Sequence, residues 1–362
     1  MRAYNKLWLY NLYAHEQFSD ALTNKAINAD QYKDLMGKSP VGFYTPNIFI
    51  RIGLGLLTII IILFTTALLA LMGGLNFDAL SGYMFVMGTL SYVVLELMVN
   101  GKKHYNSGVD NILLIAVVLF LTSAVESQLG KAGVTGDIIN CLFAFALCTF
   151  LAWRFSDALM AAIATISLVL ALLYILSTFM PVYLLYLPAL PFCYIIYRLG
   201  NRAAEREALL LYRFIFKSVA VTALLLMYLL GNFYIVDECT SMFFGEHAIV
   251  PKALKMIYWP ITLLLPIVYI IAGVYKKNIV LIRVGVILSA VAALTFRHYF
   301  SVLSVEAALI GSGALLVIIT YVLINYLKEP KKGFTFQPEA KAKGELDLED
   351  LITEKIVNRA GL

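Results

Sequence analysis

From near Phe49 onward the chain alternates long apolar runs with short polar breaks, and the runs recur as far as Leu327. An α-helix rises 1.5 Å per residue, so roughly 20 mainly apolar residues cross about 30 Å of hydrocarbon. About ten runs meet that length. They predict spans at Ile52–Met72, Leu80–Val99, Asn111–Gln128, Asp137–Trp153, Ala158–Ser177, Val182–Tyr197, Tyr212–Gly231, Leu254–Tyr275, Ile279–Phe296 and Leu303–Leu327. The fifth and sixth are divided at Ser177–Met180 and Pro181, since one continuous Ala158–Tyr197 helix would be about 60 Å long, twice the hydrocarbon thickness. The expected fold is an all-α polytopic transmembrane helix bundle.

The two ends follow different patterns. Residues 1–48 read as a cytoplasmic helical hairpin, with Trp8, Leu12 and Leu22 on one side of its first helix and Asn28/Gln31 as a capping box opening the second, Ala29–Met36. Gly37, Pro40, Gly42 and Pro46 break the chain before residues 49–327, the expected membrane bundle. Residues 328–362 read as a basic, proline-containing linker and an amphipathic tail helix, with disorder as the alternative; Leu348, Leu351, Ile352 and Ile356 share helical spacing among acidic residues. An acidic polar face suits docking to a protein partner or to this chain better than to a membrane surface. The N-terminal hairpin is a second candidate for docking, onto the membrane domain or a partner.

Composition agrees with the pattern. The chain is 61% hydrophobic and 14% charged, against roughly 45–50% and about 25% in soluble domains. The net charge of +5 does not indicate nucleic acid, because the bases lie in short loops beside spans. Lys102/Lys103, Arg154, Arg198/Arg202/Arg206/Arg213 and Lys276/Lys277 fall on the same side as the basic N-terminus and Lys328, Lys331 and Lys332. Under the positive-inside rule that side is cytoplasmic, and an even number of spans places both termini there. The first span, without a cleaved leader, is expected to direct insertion.

Two stretches carry a family resemblance. Near the C-terminal end the chain reads Lys276-Lys277-Asn278, Leu281-Ile282-Arg283-Val284-Gly285, Arg297-His298-Tyr299-Phe300 and Gly311-Ser312-Gly313-Ala314-Leu315-Leu316. Near the beginning it reads Ile27-Asn28-Ala29-Asp30-Gln31, then Asn47 to Gly53. These resemble a broad family of bacterial inner-membrane proteins described as predicted membrane proteins with a domain of unknown function. The chain departs from that pattern at His298 and through its middle. The resemblance implies a multi-pass protein of the bacterial inner membrane and carries no activity or site residues with it.

Chemistry is sparse. Ionisable residues inside spans are pointers to function, because an unpaired charge in hydrocarbon costs roughly 2.5–3.5 kcal/mol. Glu96, Lys217 and Arg283 lie close to cytoplasmic loops, Glu126 and Glu306 close to outer ends, and the middle turns of the predicted spans hold no Asp, Glu, Lys, Arg or His. Proton-coupled transport is thereby disfavoured. Pro188/Pro191 and Pro260/Pro266 interrupt two spans and can free carbonyls toward a cavity, which makes them candidate cavity residues.

At the outer helix ends Asp237, Glu238, Cys239, Glu246 and His247 are candidates to meet Arg297 and His298. Arg297 and Glu306 are expected to pair across the turn between the last two spans. His15, His104, His247 and His298 divide between the two sides, and Cys141, Cys148, Cys193 and Cys239 lack metal-site spacing. No cofactor, metal or catalytic residue is therefore expected. The functional readings left open are a transporter-like protein or membrane scaffold and, as the alternative, a membrane-embedded enzyme with its site at the external helix ends.

Overall fold

The computed structural model describes residues 3–24, 26–72, 80–129, 132–244, 251–300 and 305–326. Among them the architecture is all-α: α1 Lys6–Thr23, α2 Ala29–Lys38, α3 Ile48–Met72, α4 Leu80–Lys102, α5 Val109–Leu129, α6 Val134–Phe155, α7 Ala158–Ser177, α8 Tyr186–Ala204, α9 Arg213–Gly231, α10 Phe233–Phe244, α11 Lys252–Tyr275, α12 Ile279–Tyr299 and α13 Val305–Tyr326. Nine of the helical segments in the described residues are long and apolar enough to cross a membrane. α13 occupies the place of the tenth expected span, and its strongly apolar stretch is Leu316–Tyr326. Only 11% of the α3 span is buried, and Phe49 and Phe64 are 82% and 74% exposed. Water would not tolerate so large an apolar face; hydrocarbon does. The C-terminal linker and tail helix expected at residues 328–362 lie outside the described residues.

The chain divides into two compact units, one drawn from Met1–Thr178 with Gly200–Val219, the other from Phe179–Leu199 with Ala220–Leu362. In the first, α4 and α5 pack as one antiparallel pair and α6 and α7 as another, around Leu95, Leu113, Val117, Leu151, Met160 and Ala164. Small residues set the spacing: a Cβ on Gly88 would lie 2.6 Å from the Leu121 side chain. Glu96 of α4 receives two hydrogen bonds from the Arg154 guanidinium of α6, one of them Nη2 to Oε2 at 2.9 Å, and the Tyr92 hydroxyl and Asn100 amide also donate to it at 2.8 Å. This is how a carboxylate inside a span is accommodated: each charge neutralises the other and further donors use the remaining lone pairs.

The α4–α5 connection holds the N-terminal hairpin in place. Lys103 (φ 57°), Asn106 (φ 50°) and Gly108 (φ 93°) take left-handed backbone, and the buried Asp110 carboxylate accepts the N–H groups of Asn106 and Ser107 and the Ser107 hydroxyl at 2.7–3.1 Å. Tyr44 pairs with this loop as an isolated bridge, donating its N–H to the Lys103 carbonyl and accepting from Tyr105 N–H. Ala3 N–H donates to the Arg154 carbonyl at 3.0 Å, and the Tyr4 ring meets the edges of Phe43, Tyr105 and Phe155. The capping box at Asn28 and Gln31 opens α2 as its sequence indicates. The packed face of α1 differs from the Trp8/Leu12/Leu22 expectation: Leu9, Phe18 and Ala21 are its buried residues, while Trp8 turns to Gly42 and Phe43.

In the second unit α11 and α12 form a hairpin closed at Lys276-Lys277-Asn278, where Asn278 N–H returns to the Gly273 carbonyl and Asn278 Oδ1 caps α12. Gly273 and Gly285 allow close approach; a Cβ on Gly285 would sit 3.0 Å from the Pro266 carbonyl oxygen. The segment after α9, read from sequence as a loop around Asp237 and Glu238, is instead the helix α10. Its start is set by the fully buried Asn232, whose Oδ1 accepts from Tyr234 and Ile235 N–H while its amide nitrogen donates to Tyr228 Oη and Thr295 Oγ1. Asn is a strong N-cap residue, and here it ends one helix and begins another.

Two substitutions test these struts in the full-length protein by thermal unfolding in a neutral detergent. Glu96→Gln leaves Arg154 partly buried beside a neutral partner, with an expected loss of about 2–3 kcal/mol, below the full cost of breaking a deeply buried pair because both side chains retain some solvent access. Gly108→Ala combines a positive φ with a Cβ only 2.2 Å from the Arg51 carbonyl oxygen, and is expected to cost about 3 kcal/mol or more.

Candidate functional site

Where α1 of the hairpin lies against the ends of the first unit's membrane helices, the structure forms a partly open cavity of about 680 Å³. Its floor is the Asp110 loop, with Tyr105, Asn106 and Asn111; α3 contributes Arg51, and the α6–α7 connection contributes Phe155, Ser156 and Asp157. α1 closes it with Leu9, Leu12, Tyr13, His15 and Glu16, which repeat at helical spacing. Leu210, Leu211 and Phe214, at the entry to α9, complete an apolar side.

Most polar groups in this wall are held by their own local chemistry. Asn47 Oδ1 caps α3 one turn ahead of Arg51, and Arg51 Nη2 donates to Asn106 Oδ1 at 3.2 Å. His15 Nε2 donates to the Ser39 carbonyl at 2.7 Å, and Tyr13 Oη accepts from Arg213 Nη1 at 3.4 Å. Asp157 caps α7, with Oδ1 accepting from Met160 N–H at 2.8 Å. Ser156, at φ 50°, ends α6 in left-handed backbone, and its buried Oγ has no hydrogen-bond partner among the described residues.

The electrostatics single out Asp157. Burial raises its pKa above the ordinary carboxylate value and the Asp110 carboxylate adds to this, whereas the N–H groups of Met160 and Leu159 and the Arg51 guanidinium act the other way. Burial, then the Asp110 charge, pushes the Tyr4 phenol far up; burial, then Asp157, raises Tyr105. Both tyrosines thus remain neutral O–H donors beside two carboxylates. A perturbed carboxylate in a concave, partly apolar pocket is the arrangement expected of a binding site.

The residues singled out from sequence lie in the second unit. Pro188 stands in the first turn of α8, where its missing N–H has no intrahelical partner to lose, and Pro191 lies within that helix. Pro260 and Pro266 are inside α11; Pro260 is exposed, whereas Pro266 is buried on the face formed by Tyr258, Thr262, Tyr269 and Gly273. That face is tied down by Tyr258 Oη donating to the Tyr183 carbonyl and Tyr269 Oη to the Leu224 carbonyl. None of the four prolines lines the cavity under the hairpin.

Arg297 and His298 end α12. The His298 ring meets Tyr234 at 4.8 Å, and the neighbouring Tyr299 hydroxyl donates to Asp237 Oδ2 at 2.7 Å, so α10 and the end of α12 touch through these two pairs. Arg297 Nε is buried without a hydrogen-bond partner among the described residues. The side chain of Glu306, like Glu246 and His247, lies outside them, and with it the expected Arg297–Glu306 pair. Among the described residues no cluster of His, Cys, Asp or Glu has metal-holding geometry.

The fold defines a multi-pass helical integral membrane protein. No protein-family model, no curated protein and no solved structure matches the chain.

Tyr4, His15, Arg51, Tyr105, Asp110 and Asp157 were not singled out from sequence as a site: Tyr4 and His15 lie in the hairpin and the others beside spans, where polar residues are ordinary. One local signal was legible: Asp157, directly before an apolar run, is in N-cap position. Its raised pKa has a testable sign. The folded protein holds the Asp157 proton more tightly than the unfolded chain, so ionisation costs stability, fully at pH values above the raised pKa and not at all below the unfolded value, about 4. Asn caps as well as Asp. Asp157→Asn is therefore expected to raise the melting temperature at pH 7, with the gain shrinking as the pH falls through the raised pKa and absent below about pH 4; a gain independent of pH would contradict the assignment.

Proposed function

We propose that this protein resides in the bacterial inner membrane, with the hairpin end and both termini in the cytoplasm, and takes a small amphipathic molecule into the cavity beneath its N-terminal hairpin. The role is that of a binding or transporter-like membrane protein. The observation that carries the reading is the cavity itself: about 680 Å³ falls within the range of about 300–1,000 Å³ typical of small-molecule sites. Its lining combines polar groups from α3, the Asp110 loop and Asp157 with the apolar side chains of Leu12, Leu210 and Phe214. The position at helix ends suits a molecule that is itself divided between water and hydrocarbon.

The orientation is supported by the bases gathered at this end of the first unit, where Lys103 and Arg154 hold Tyr44 and Ala3 through their carbonyls. The resemblance of the chain's two ends to predicted inner-membrane proteins supports the location. A catalytic reading has less support: His15 and Asp110 are each committed to positioning bonds, to the Ser39 carbonyl and to the Asp110 loop.

In intact cells, in a background cleared of the native cysteines, Lys102→Cys is expected to resist an impermeant thiol reagent until the membrane is opened; prompt labelling would reverse the topology. For the cavity, thermal unfolding of the full-length protein against ten-carbon amphiphiles of different headgroup is expected to show stabilisation by at least one, and Leu210→Trp, which enlarges a lining side chain, to reduce it. Stabilisation by none of them, or stabilisation unchanged by the tryptophan, would overturn the reading.

A further inference from the structure

The headgroup that this cavity selects can be inferred from its walls; the inference rests on the binding role proposed above. Three carboxylates, Glu16, Asp110 and Asp157, line it with one guanidinium, Arg51, so a ligand meets an excess of negative charge before His15 is considered. The carboxylates differ in availability. Asp110 is engaged by three donors of its own loop and contributes field rather than contact. Among the described residues Asp157 is engaged by backbone N–H groups alone, those of Met160 and Leu159 at the cap of α7, and stands in the cavity wall, within electrostatic reach of Tyr4, Tyr105 and Arg51.

Next to it the wall is aromatic. Tyr4 lies edge-on to Tyr105 at 5.1 Å and to Phe155 at 6.4 Å, and all three rings line the cavity. A carboxylate among aromatic rings, partly removed from water, is a setting in which an ammonium group is stabilised both by charge pairing and by the ring quadrupoles. An anionic headgroup would instead be driven from the carboxylates, with Arg51 already turned to Asn106.

The remaining wall fixes the rest of the ligand. Leu159 and Phe214 line the cavity yet are 49% and 59% exposed, at the starts of two membrane spans, so the pocket opens beside surfaces that face hydrocarbon. An apolar chain attached to the bound group can leave along them without entering water. The use of Asp at position 157 fits as well, since Asn would make the same cap without the cost of burying a charge.

We propose that the cavity binds the ammonium group of an amphipathic amine, with Asp157 as its direct counter-ion, Tyr4, Tyr105 and Phe155 as its aromatic wall, and Leu159 and Phe214 along the apolar chain. The same chemistry is presented by an aminophospholipid headgroup and by a free long-chain amine.

The test uses the full-length protein in a neutral maltoside detergent with decylamine, decanol and decyl phosphate as probes. Decylamine is expected to bind about tenfold or more tightly than decyl phosphate, and Asp157→Asn, which keeps the cap, to weaken decylamine about tenfold while leaving decanol unchanged. In parallel, native mass spectrometry of protein taken from nanodiscs mixed from phosphatidylethanolamine and phosphatidylglycerol reports the source. Retained phosphatidylethanolamine, lost in Asp157→Asn, supports the proposal with a lipid ligand; decylamine binding without retained phosphatidylethanolamine supports it with a free amine. Preference for decyl phosphate or phosphatidylglycerol, or decylamine affinity indifferent to Asp157→Asn, overturns the ammonium assignment while leaving the cavity a binding site. Binding of none of these probes overturns both.

Discussion

The buried carboxylate of Asp110 is the constraint on which the first unit depends. A charge at that depth is stable only if its lone pairs are occupied, and Asp110 occupies them with two backbone N–H groups and a hydroxyl from the loop immediately before it. Satisfying the carboxylate therefore shapes the loop. The shaped loop brings Gly108 against the carbonyl of Arg51 on α3, and offers Lys103 and Tyr105 to the backbone of Tyr44. The helical hairpin, the first span and the α4–α5 pair meet at one tightly turned segment of chain, and the cavity is the space they leave.

Elsewhere the same accounting is met in smaller steps. Helical backbone satisfies its own donors and acceptors, so polar side chains within the spans are accommodated mainly by partners close at hand. Thr58 and Thr165 donate to carbonyls one turn back in their own helices, and Glu96 and Arg154 cancel each other across α4 and α6. In the second unit Asn232 fills the gap between α9 and α10, where the helical ladder is interrupted, and Thr262 Oγ1 accepts the Phe233 N–H that the break exposes. On α11 the buried Pro266 lies on the face that Gly285 of α12 approaches, beside Ile270.

The cavity departs from that economy. Its wall holds a carboxylate capping a helix that an amide would cap at less cost, a hydroxyl at Ser156 without a partner among the described residues, and two neutral tyrosines beside negative charge. Polar groups retained at a cost to stability, in a concave space at the membrane boundary, separate this region from the struts around it.

The sequence by itself determined the membrane class, the all-α architecture and nearly all the spans, because a run of apolar residues long enough to cross hydrocarbon has few other stable fates. It also determined local devices whose partners lie within a few residues, such as the Asn28–Gln31 capping box and the division of the chain at Pro181. Only the tertiary structure showed the polar stretch after α9 to be helix: its cap at Asn232 is local, but burying that residue leaves its amide nitrogen to find Thr295, 63 residues away. The cavity was beyond the sequence for the same reason. Tyr4 in the hairpin and Arg51, Tyr105 and Asp157 at span boundaries are ordinary one at a time, and they become a site only when the Asp110 loop folds and the hairpin docks, a convergence with no periodicity to announce it.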